Sequence, residues 1–248
     1  MKPRIFDVQI FDPADEDHPG GWGTILVGGM RFGGARIAAN TIDGDGDIAS
    51  APDYPDDPRQ FTSAYFIFDI TNPEDKPELL GELTFNPASH ADLGFTTPMP
   101  SVVPMKTGAD TSEWYLLLGS GPTAIDGTSN QNAKIAVFPL EKLVGSTRAA
   151  FQIPNDVPTT GSSTAESGRF RLSDANSFVS DLITVDFDLV DNYRADVVYF
   201  GTVEGTWGNW GGKVYRLVTH KEEDNGSEMV EVTSKPSEWD GLLNASSL

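Results

Sequence analysis

Acidic and amide side chains crowd one short segment between two apolar runs. Asp186, Asp188, Asp191, Asn192 and Asp196 all fall within eleven residues. Carboxylate and amide oxygens are the ligands of hard cations, and Ca2+ takes roughly six to eight oxygens from a short flexible loop. Carboxylates at this density otherwise repel one another. We therefore predict that the segment is a calcium loop whose protein ligands are these five residues.

The spacing of the acids indicates a variant loop. Asp186 and Asp188 have the spacing of the first two EF-hand ligands, but Val190 stands at the fifth position and no Glu stands at the twelfth. The competing interpretation is a solvated hairpin turn, since Asp and Asn favour turns in any case. The sequence leaves both interpretations open, and the metal loop is our prediction.

Two further sets of residues are candidate sites. Asp43, Asp45 and Asp47 alternate with glycine in a long polar stretch. They form a second, weaker candidate for a metal site, and a plain solvated loop explains the same letters. Trp207 and Trp210 lie in a glycine-rich loop and form a candidate partner or ligand surface, for instance for stacking on sugars. The alternative is that both indoles pack back over a strand edge.

Composition excludes several classes of partner. The chain contains 37 Asp and Glu but only 17 Lys and Arg, so its formal charge is −20. Nucleic acid is excluded as a partner because binding phosphates requires a basic face. Without cysteine there are no disulfides and no thiolate metal sites. No run approaches the ~20 apolar residues of a membrane helix, so we expect no membrane insertion.

The elements that must position these residues are predicted to be strands. The chain contains 25 Gly and 17 Pro, which divide it into short apolar runs that alternate or are rich in β-branched and aromatic residues. No segment sustains the 3.6-residue apolar period of a helix, although Leu140–Leu143 suits one helical turn. These patterns predict an all-β protein.

A weak internal repeat indicates the architecture. Each of three copies has a strand-like run, a strand that ends in glycine, and a strand with alternating apolar residues. The first copy comprises 6–11, 22–29 and 64–70, the second 100–105, 114–121 and 133–140, and the third 182–187, 196–202 and 212–217. Recurring antiparallel strands of this kind are typical of β-propeller blades, although a β-sandwich also has regular short strands. We predict a partial or modified β-propeller over residues 1–219. Its long insertions are 31–63 and 154–177, and 149–153 and 228–234 are extra strands. Residues 220–248 are predicted to be a polar tail or linker, or the start of a further partial blade.

Several of these segments together resemble the C-terminal propeller of the PilC/PilY family, over about residues 6–217. The most specific part is the run Phe-Asp-Ile-Thr-Asn-Pro followed by Leu-Leu-Gly-Glu-Leu. The segments that carry the resemblance are 22–30, 65–73, 79–83, 93–96, 114–121, 186–201 and 212–216. Members of that family are exported bacterial proteins at the tip of type IV pili or in pilus assembly. They act in adhesion and oppose pilus retraction.

The resemblance implies a cofactor, partners and a location. The family loop has the form Asp-x-Asp-x-Asp-Gly-x-x-Asp; Asp186 and Asp188 match its first two acids and Asp196 its last, while Val190 replaces the third and the loop is two residues longer. We therefore expect a non-enzymatic, Ca2+-binding, exported protein at the cell surface or pilus tip, in the periplasm, or associated with the outer membrane. Its partners would be minor pilins, a host or surface receptor, and the remaining blades or N-terminal region of the same protein. The alternatives are a carbohydrate-binding propeller module or a propeller-scaffold enzyme, either a glycosidase or a quinone-dependent dehydrogenase.

Overall fold

Three antiparallel sheets make up the part of the chain that the structure, a computed structural model, describes. The described residues are 2–31, 37–39, 59–61, 64–84, 93–106, 112–144, 168–187, 194–219, 221–224, 226–227, 229–232, 236, 239 and 241–247.

The first sheet is a four-stranded antiparallel meander with a hairpin inserted after its second strand. In chain order its region contains β1 (Arg4–Gln9), β2 (Trp22–Gly29), β3 (Ile37–Ala39), β4 (Arg59–Phe61), β5 (Ala64–Asp69) and β6 (Glu78–Thr84). The sheet order is β1-β2-β5-β6, while β3 and β4 pair only with each other. The hairpin therefore arises within the long insertion predicted from the sequence.

The central sheet is a four-stranded antiparallel meander. It contains β7 (Ser101–Lys106), β8 (Ser112–Gly119), β9 (Lys134–Pro139) and β10 (Gly168–Arg171), in spatial order β10-β9-β8-β7. A single 3-10 turn, Leu140–Leu143, follows β9 where the sequence predicts one helical turn. Successive strands thus lie beside one another, as expected for antiparallel neighbours joined by local connections.

The third sheet repeats the meander with one strand split in two. It contains β11 (Ser177–Val179), β12 (Ile183–Val185), β13 (Val197–Thr206), β14 (Asn209–Val218) and, after the hairpin of β15 (Lys221–Asp224) and β16 (Met229–Val232), β17 (Gly241–Ser247). Both β11 and β12 pair with β13, while β17 pairs with β14. Part of the segment interpreted as a tail or partial blade therefore belongs to the third sheet.

Every regular element of the described residues is a strand, apart from short 3-10 turns such as Pro19–Gly21 and Leu140–Leu143. The prediction of an all-β protein is confirmed. In the same described part of the chain, no helix has the length and apolar character needed to span a bilayer.

Two hydrophobic cores lie between the three sheets, one on each face of the central sheet. Side chains of the central sheet alternate strictly between them: Trp114, Leu116 and Leu118 lie in the core shared with the first sheet, whereas Tyr115 and Leu117 lie in the core shared with the third. Successive side chains of a strand point to opposite faces, so one strand serves both cores. The central sheet is consequently apolar on both faces.

The outer face of the first sheet remains exposed. Ile5 lies opposite Leu26, Leu26 opposite Phe68, and Phe68 opposite Leu79, so an apolar row crosses all four strands. Its ends are open to solvent, with Ile5 60% and Leu79 45% exposed. This row has no counterpart on the central sheet, whose faces are both covered.

Each of the nine strands predicted in the repeat overlaps a strand of the structure, but the fourth strand of each sheet was missed, and β10 and the start of β11 fall in the predicted insertion 154–177. The predicted extra strand 228–234 overlaps β16, and 149–153 lies outside the described residues. Each sheet ends in an edge strand that follows the three predicted ones: β6, β10 and β17. Edge strands are often short or carry polar and charged residues, which blunts the alternation used to recognise them. β10 illustrates this, because its sequence is Gly-Arg-Phe-Arg.

A close backbone contact joins a loop before the central sheet to the end of β8. Phe95 donates its amide to Pro122, and Gly121 donates to Leu93, both at 2.8 Å. A Cβ on Gly121 would lie only 1.9 Å from the Phe95 carbonyl oxygen. This contact requires glycine at position 121 and explains why the Gly-Ser-Gly run follows the strand.

Candidate metal loop and tryptophan groove

The predicted calcium loop is the connection between β12 and β13. These strands pair antiparallel up to Val185 and Val197, so Asp186 and Asp196 lie directly beyond the last pair, at the base of the loop. The Asp196 amide donates to the Val185 carbonyl at 3.1 Å, and the Thr219 amide donates to the Asp196 carbonyl at 3.0 Å. β-pairing thus brings together the two predicted ligands that are furthest apart in sequence.

The two carboxylates at the loop base differ in environment. Asp196 is buried, at 7% exposure, and its Oδ2 accepts the Phe187 amide at 2.6 Å. Asp186 is exposed. The hydrogen bond from Phe187 ties the start of the loop to its end and fixes the direction of the Asp196 carboxylate.

The other predicted ligands lie outside the described residues. These are Asp188, Asp191 and Asn192, together with all of Asp43, Asp45 and Asp47. Among the residues that the structure does describe, no group of three or more His, Asp or Glu side chains is arranged to hold a metal. The calcium loop therefore stays a prediction that rests on Asp186 and Asp196 at its base.

The two candidate tryptophans lie on the long hairpin of β13 and β14. Thr206 pairs with Asn209, so Trp207 and Gly208 form a two-residue turn at its tip. Gly208 has φ +82°, a conformation that glycine adopts without strain. Trp207 is 89% exposed and Trp210 is 43% exposed. Neither indole is buried over a strand edge.

A groove of about 720 Å3 opens beside Trp210. Three segments form its walls: the connection between β8 and β9, the turn between β10 and β11, and the flank of the β13–β14 hairpin. The residues whose side chains supply its polar and aromatic groups are Asp126, Thr128, Ser129, Asn176, Glu204, Thr206, Asn209 and Trp210.

The polar wall of the groove is organised by a short turn. Asp126 Oδ1 accepts the Thr128 amide at 3.0 Å and the Thr128 hydroxyl at 2.7 Å. These hydrogen bonds lower the pKa of the Asp126 carboxyl below its ordinary value, and the bond from the Thr128 amide has the larger effect. The carboxyl is therefore ionised at neutral pH. The ring edge of Trp210 lies 3.7 Å from where a Cβ of Gly127 would stand. The turn and the indole are therefore neighbours.

A buried polar cluster holds the turn before β11 against the third sheet. The Asp174 side chain is 3% exposed and accepts hydrogen bonds from Lys213 Nζ and from the Tyr215 hydroxyl. Burial raises the pKa of Asp174, but the Lys213 and Tyr215 hydrogen bonds outweigh burial and leave the pKa below its ordinary value. Burial and Asp174 together raise the pKa of Tyr215 to about 12. The cluster is structural, because its groups satisfy one another.

A second cluster ties the β1–β2 connection to the first sheet. His18 Nε2 lies 2.9 Å from Asp69 Oδ2, and His18 Nδ1 lies 3.1 Å from Asp15 Oδ2. Burial lowers the pKa of His18, but hydrogen bonds to the two carboxylates outweigh burial and leave the pKa raised. The imidazole also stacks on Phe11 at 3.8 Å between ring centroids. A histidine that is isolated in sequence is thus a buried contact between distant segments.

No protein-family model, no curated protein and no solved structure matches this chain. The interpretation of both sites accordingly rests on the residues and their geometry.

Sequence reasoning found the aromatic part of the groove but missed its polar wall. Asp126 and Asn176 come from two connections and Glu204 from β13, and only folding brings these distant residues beside Trp210. The Asp-Gly pair at 126–127 is a turn signal. That signal locates a bend, and it gives no indication that the bend faces the β13–β14 hairpin.

Proposed function

We propose that this chain is a calcium-stabilised, non-enzymatic β-propeller region of a type IV pilus tip or assembly protein. In this role it acts in pilus biogenesis, adhesion and control of retraction. The protein is exported and works at the cell surface or pilus tip. The residue-level resemblance to the PilC/PilY family supports the proposal, and so do the three successive four-stranded meanders.

The observation that carries the proposal is the repeated meander with shared cores. Each sheet follows the last along the chain, and the central sheet packs one face on each neighbour. A propeller is built from four-stranded antiparallel blades repeated in this way around an axis. A ring needs about four to eight blades, so the proposal includes further blades from the same protein.

The exposed outer face of the first sheet is consistent with such a neighbour. The row of Ile5, Leu26, Phe68 and Leu79 crosses the sheet. The opposite face of the same sheet is covered by the central sheet. A further blade packed on the row would bury it in the same manner, and this is the place we propose for the remaining blades.

Calcium has a structural role in the proposal. Asp186, Asp188, Asp191, Asn192 and Asp196 are the proposed protein ligands. A bound Ca2+ neutralises carboxylates that repel one another across the β12–β13 connection. The hydrogen bond between Phe187 and Asp196 already closes the base of that connection.

Thermal unfolding with millimolar Ca2+, millimolar Mg2+ or chelator tests this role. Extracellular calcium sites bind with Kd of about 10⁻⁴ to 10⁻³ M, so about 1 mM Ca2+ adds roughly 0.4–1.4 kcal/mol to folding stability. We expect Ca2+ to raise the melting temperature modestly and Mg2+ to raise it less, because Mg2+ dehydrates reluctantly.

Two variants make the calcium experiment specific. Asp188→Ala should remove most of the Ca2+-dependent shift, whereas Asp45→Ala, a matched change in the weaker acidic candidate, should remove little. Identical melting curves of the unmodified protein in Ca2+ and in chelator would exclude calcium from this loop and leave the solvated turn as its explanation.

A further inference from the structure

The groove beside Trp210 combines an aromatic surface with a wall of hydrogen-bonding groups. Its volume of about 720 Å3 lies within the ~300–1,000 Å3 of small-molecule sites. The side chains come from two connections and from the flank of the β13–β14 hairpin, each held by strands of the central or third sheet. A concave site built on such a framework has fixed geometry, unlike a patch on a single loop.

Trp210 supplies the apolar part of this surface. It is 43% exposed on β14, and its ring edge lies beside the turn at Gly127. Burying one face of an indole against an apolar surface is favourable, and the indole N–H can also donate a hydrogen bond. The flat, weakly polar C–H face of a pyranose ring matches such a surface in size and shape.

The polar wall offers both acceptors and donors. Asp126 and Glu204 contribute carboxylates, Asn176 and Asn209 contribute amides, and Thr128, Ser129 and Thr206 contribute hydroxyls. Carboxylates only accept hydrogen bonds, amides do both, and hydroxyls do both. Asp126 is held in place by Thr128, so this acceptor is set before any ligand arrives. A ligand rich in hydroxyl groups satisfies such a mixed wall.

Charge determines which hydroxyl-rich ligand fits. No Lys or Arg is among the residues lining the groove, and two of its residues are acidic. The whole chain carries −20. A phosphate, a uronic acid or a sialic acid would therefore be repelled, whereas a neutral sugar would not.

We propose that this groove binds a neutral carbohydrate, a hexose unit of a glycan, stacked on Trp210 and hydrogen-bonded to Asp126, Glu204 and Asn209. The inference rests on the proposed adhesive function, for which it names the class of receptor. Trp207, 89% exposed at the tip of the same hairpin, is placed to contact the next sugar along an oligosaccharide.

The test is binding of the full chain to immobilised oligosaccharides that end in glucose, galactose, mannose or N-acetylglucosamine. The same glycans with terminal sialic acid, and a polylysine peptide, serve as charged comparisons. We expect at least one neutral glycan to bind, and its affinity to change less than twofold between about 50 and about 500 mM salt, since no charge pair forms. Binding confined to the sialylated glycans or to polylysine overturns the proposal, and so does the absence of any binding.

Matched tryptophan variants locate the site. Trp210→Ala should lower affinity at least tenfold and Trp210→Phe should restore part of it. Trp22→Ala, which removes an indole of similar exposure (46%) on the first sheet, should leave affinity unchanged. Equal losses for Trp22→Ala and Trp210→Ala, at matched melting temperatures, would remove the site from the groove.

The assay also separates this proposal from the calcium proposal. The Ca2+-dependent melting shift of Trp210→Ala should equal that of the unmodified chain, because the groove and the β12–β13 connection share no lining residue. Loss of glycan binding with an intact calcium shift locates the effect in the groove alone. A calcium shift without any glycan binding overturns the carbohydrate site and leaves the calcium loop standing.

Discussion

The central sheet and the two flanking sheets are held in place by different forces. The central sheet has apolar side chains on both faces, and all six residues of β9 are buried. The flanking sheets have one face each packed in a core, and polar clusters at their connections supplement the packing: His18 with Asp69 on the first sheet, and Asp174 with Lys213 on the third. The difference indicates that burial specifies the middle of this molecule, while hydrogen-bonded charges specify how its connections attach.

The largest expected effect is in the central sheet. Leu117 is fully buried in the core shared with the third sheet, whereas Leu79 on the outer face of the first sheet is 45% exposed. Leu117→Ala should lower the free energy of unfolding by about 2–5 kcal/mol, through lost burial and the cavity left behind. Leu79→Ala, the matched change, should cost less than about 0.5 kcal/mol. Chemical denaturation measures both, and equal losses would contradict the contrast between the sheets.

A smaller effect is expected at the third sheet. Asp174→Asn removes the charge that pairs with Lys213 and should cost roughly 1.5–3 kcal/mol at neutral pH, the range for hydrogen bonds to charged groups. Because the folded-state pKa of Asp174 is lowered, its contribution is present above the ordinary carboxyl pKa and is lost as pH falls through the folded value. The variant should therefore lose less stability on acidification than the unmodified protein.

Denaturation midpoints measured across acidic pH provide the check for Asp174. Glu74→Gln, a change at an exposed acid on the connection before β6, is the control and should alter neither stability nor its pH dependence. If stability falls by the same amount on acidification in Asp174→Asn and in the unmodified protein, another group is responsible for the pH dependence.

The smallest effect on stability is expected at the first sheet. Unlike the contribution of Asp174, that of His18 is lost as the pH rises. The pKa of His18 is raised in the folded state. Its contribution to folding stability is therefore fully present below the ordinary histidine pKa near 6.5 and is lost as the pH rises through the higher pKa of the folded state. We expect His18→Gln to cost about 1 kcal/mol at pH 6 and to differ little from the unmodified protein well above the folded pKa.

The measurement is the melting temperature of His18→Gln between pH 6 and 8. Two variants of its carboxylate partners, measured in the same way, show which contact is responsible. Asp69→Asn should flatten the pH dependence more than Asp15→Asn, because the Asp69 side chain is 11% exposed and that of Asp15 is 48% exposed. If all three variants retain the full slope between pH 6 and 8, the titrating group lies elsewhere.

The sequence alone determined the class of the fold and most of its strands. Alternating apolar residues between glycines and prolines located β1, β2 and β5, then β7 to β9, then β12 to β14, because period two is a local property of the chain. Trp207 and Trp210 were also named from sequence as a candidate surface, but the sequence left open whether they pack over a strand edge, and the structure shows both exposed. The acids at 186 and 196 were grouped by their spacing, and strand pairing places both at one loop base.

Only the tertiary structure decided which residues meet across the chain. The edge strands β6, β10 and β17 were missed because their place is set by the neighbour they pair with. The groove brings together Asp126 and Glu204, which are 78 positions apart, and His18 contacts Asp69, which is 51 positions away. Local patterns contain no information on such contacts, because they follow from how sheets pack through shared cores.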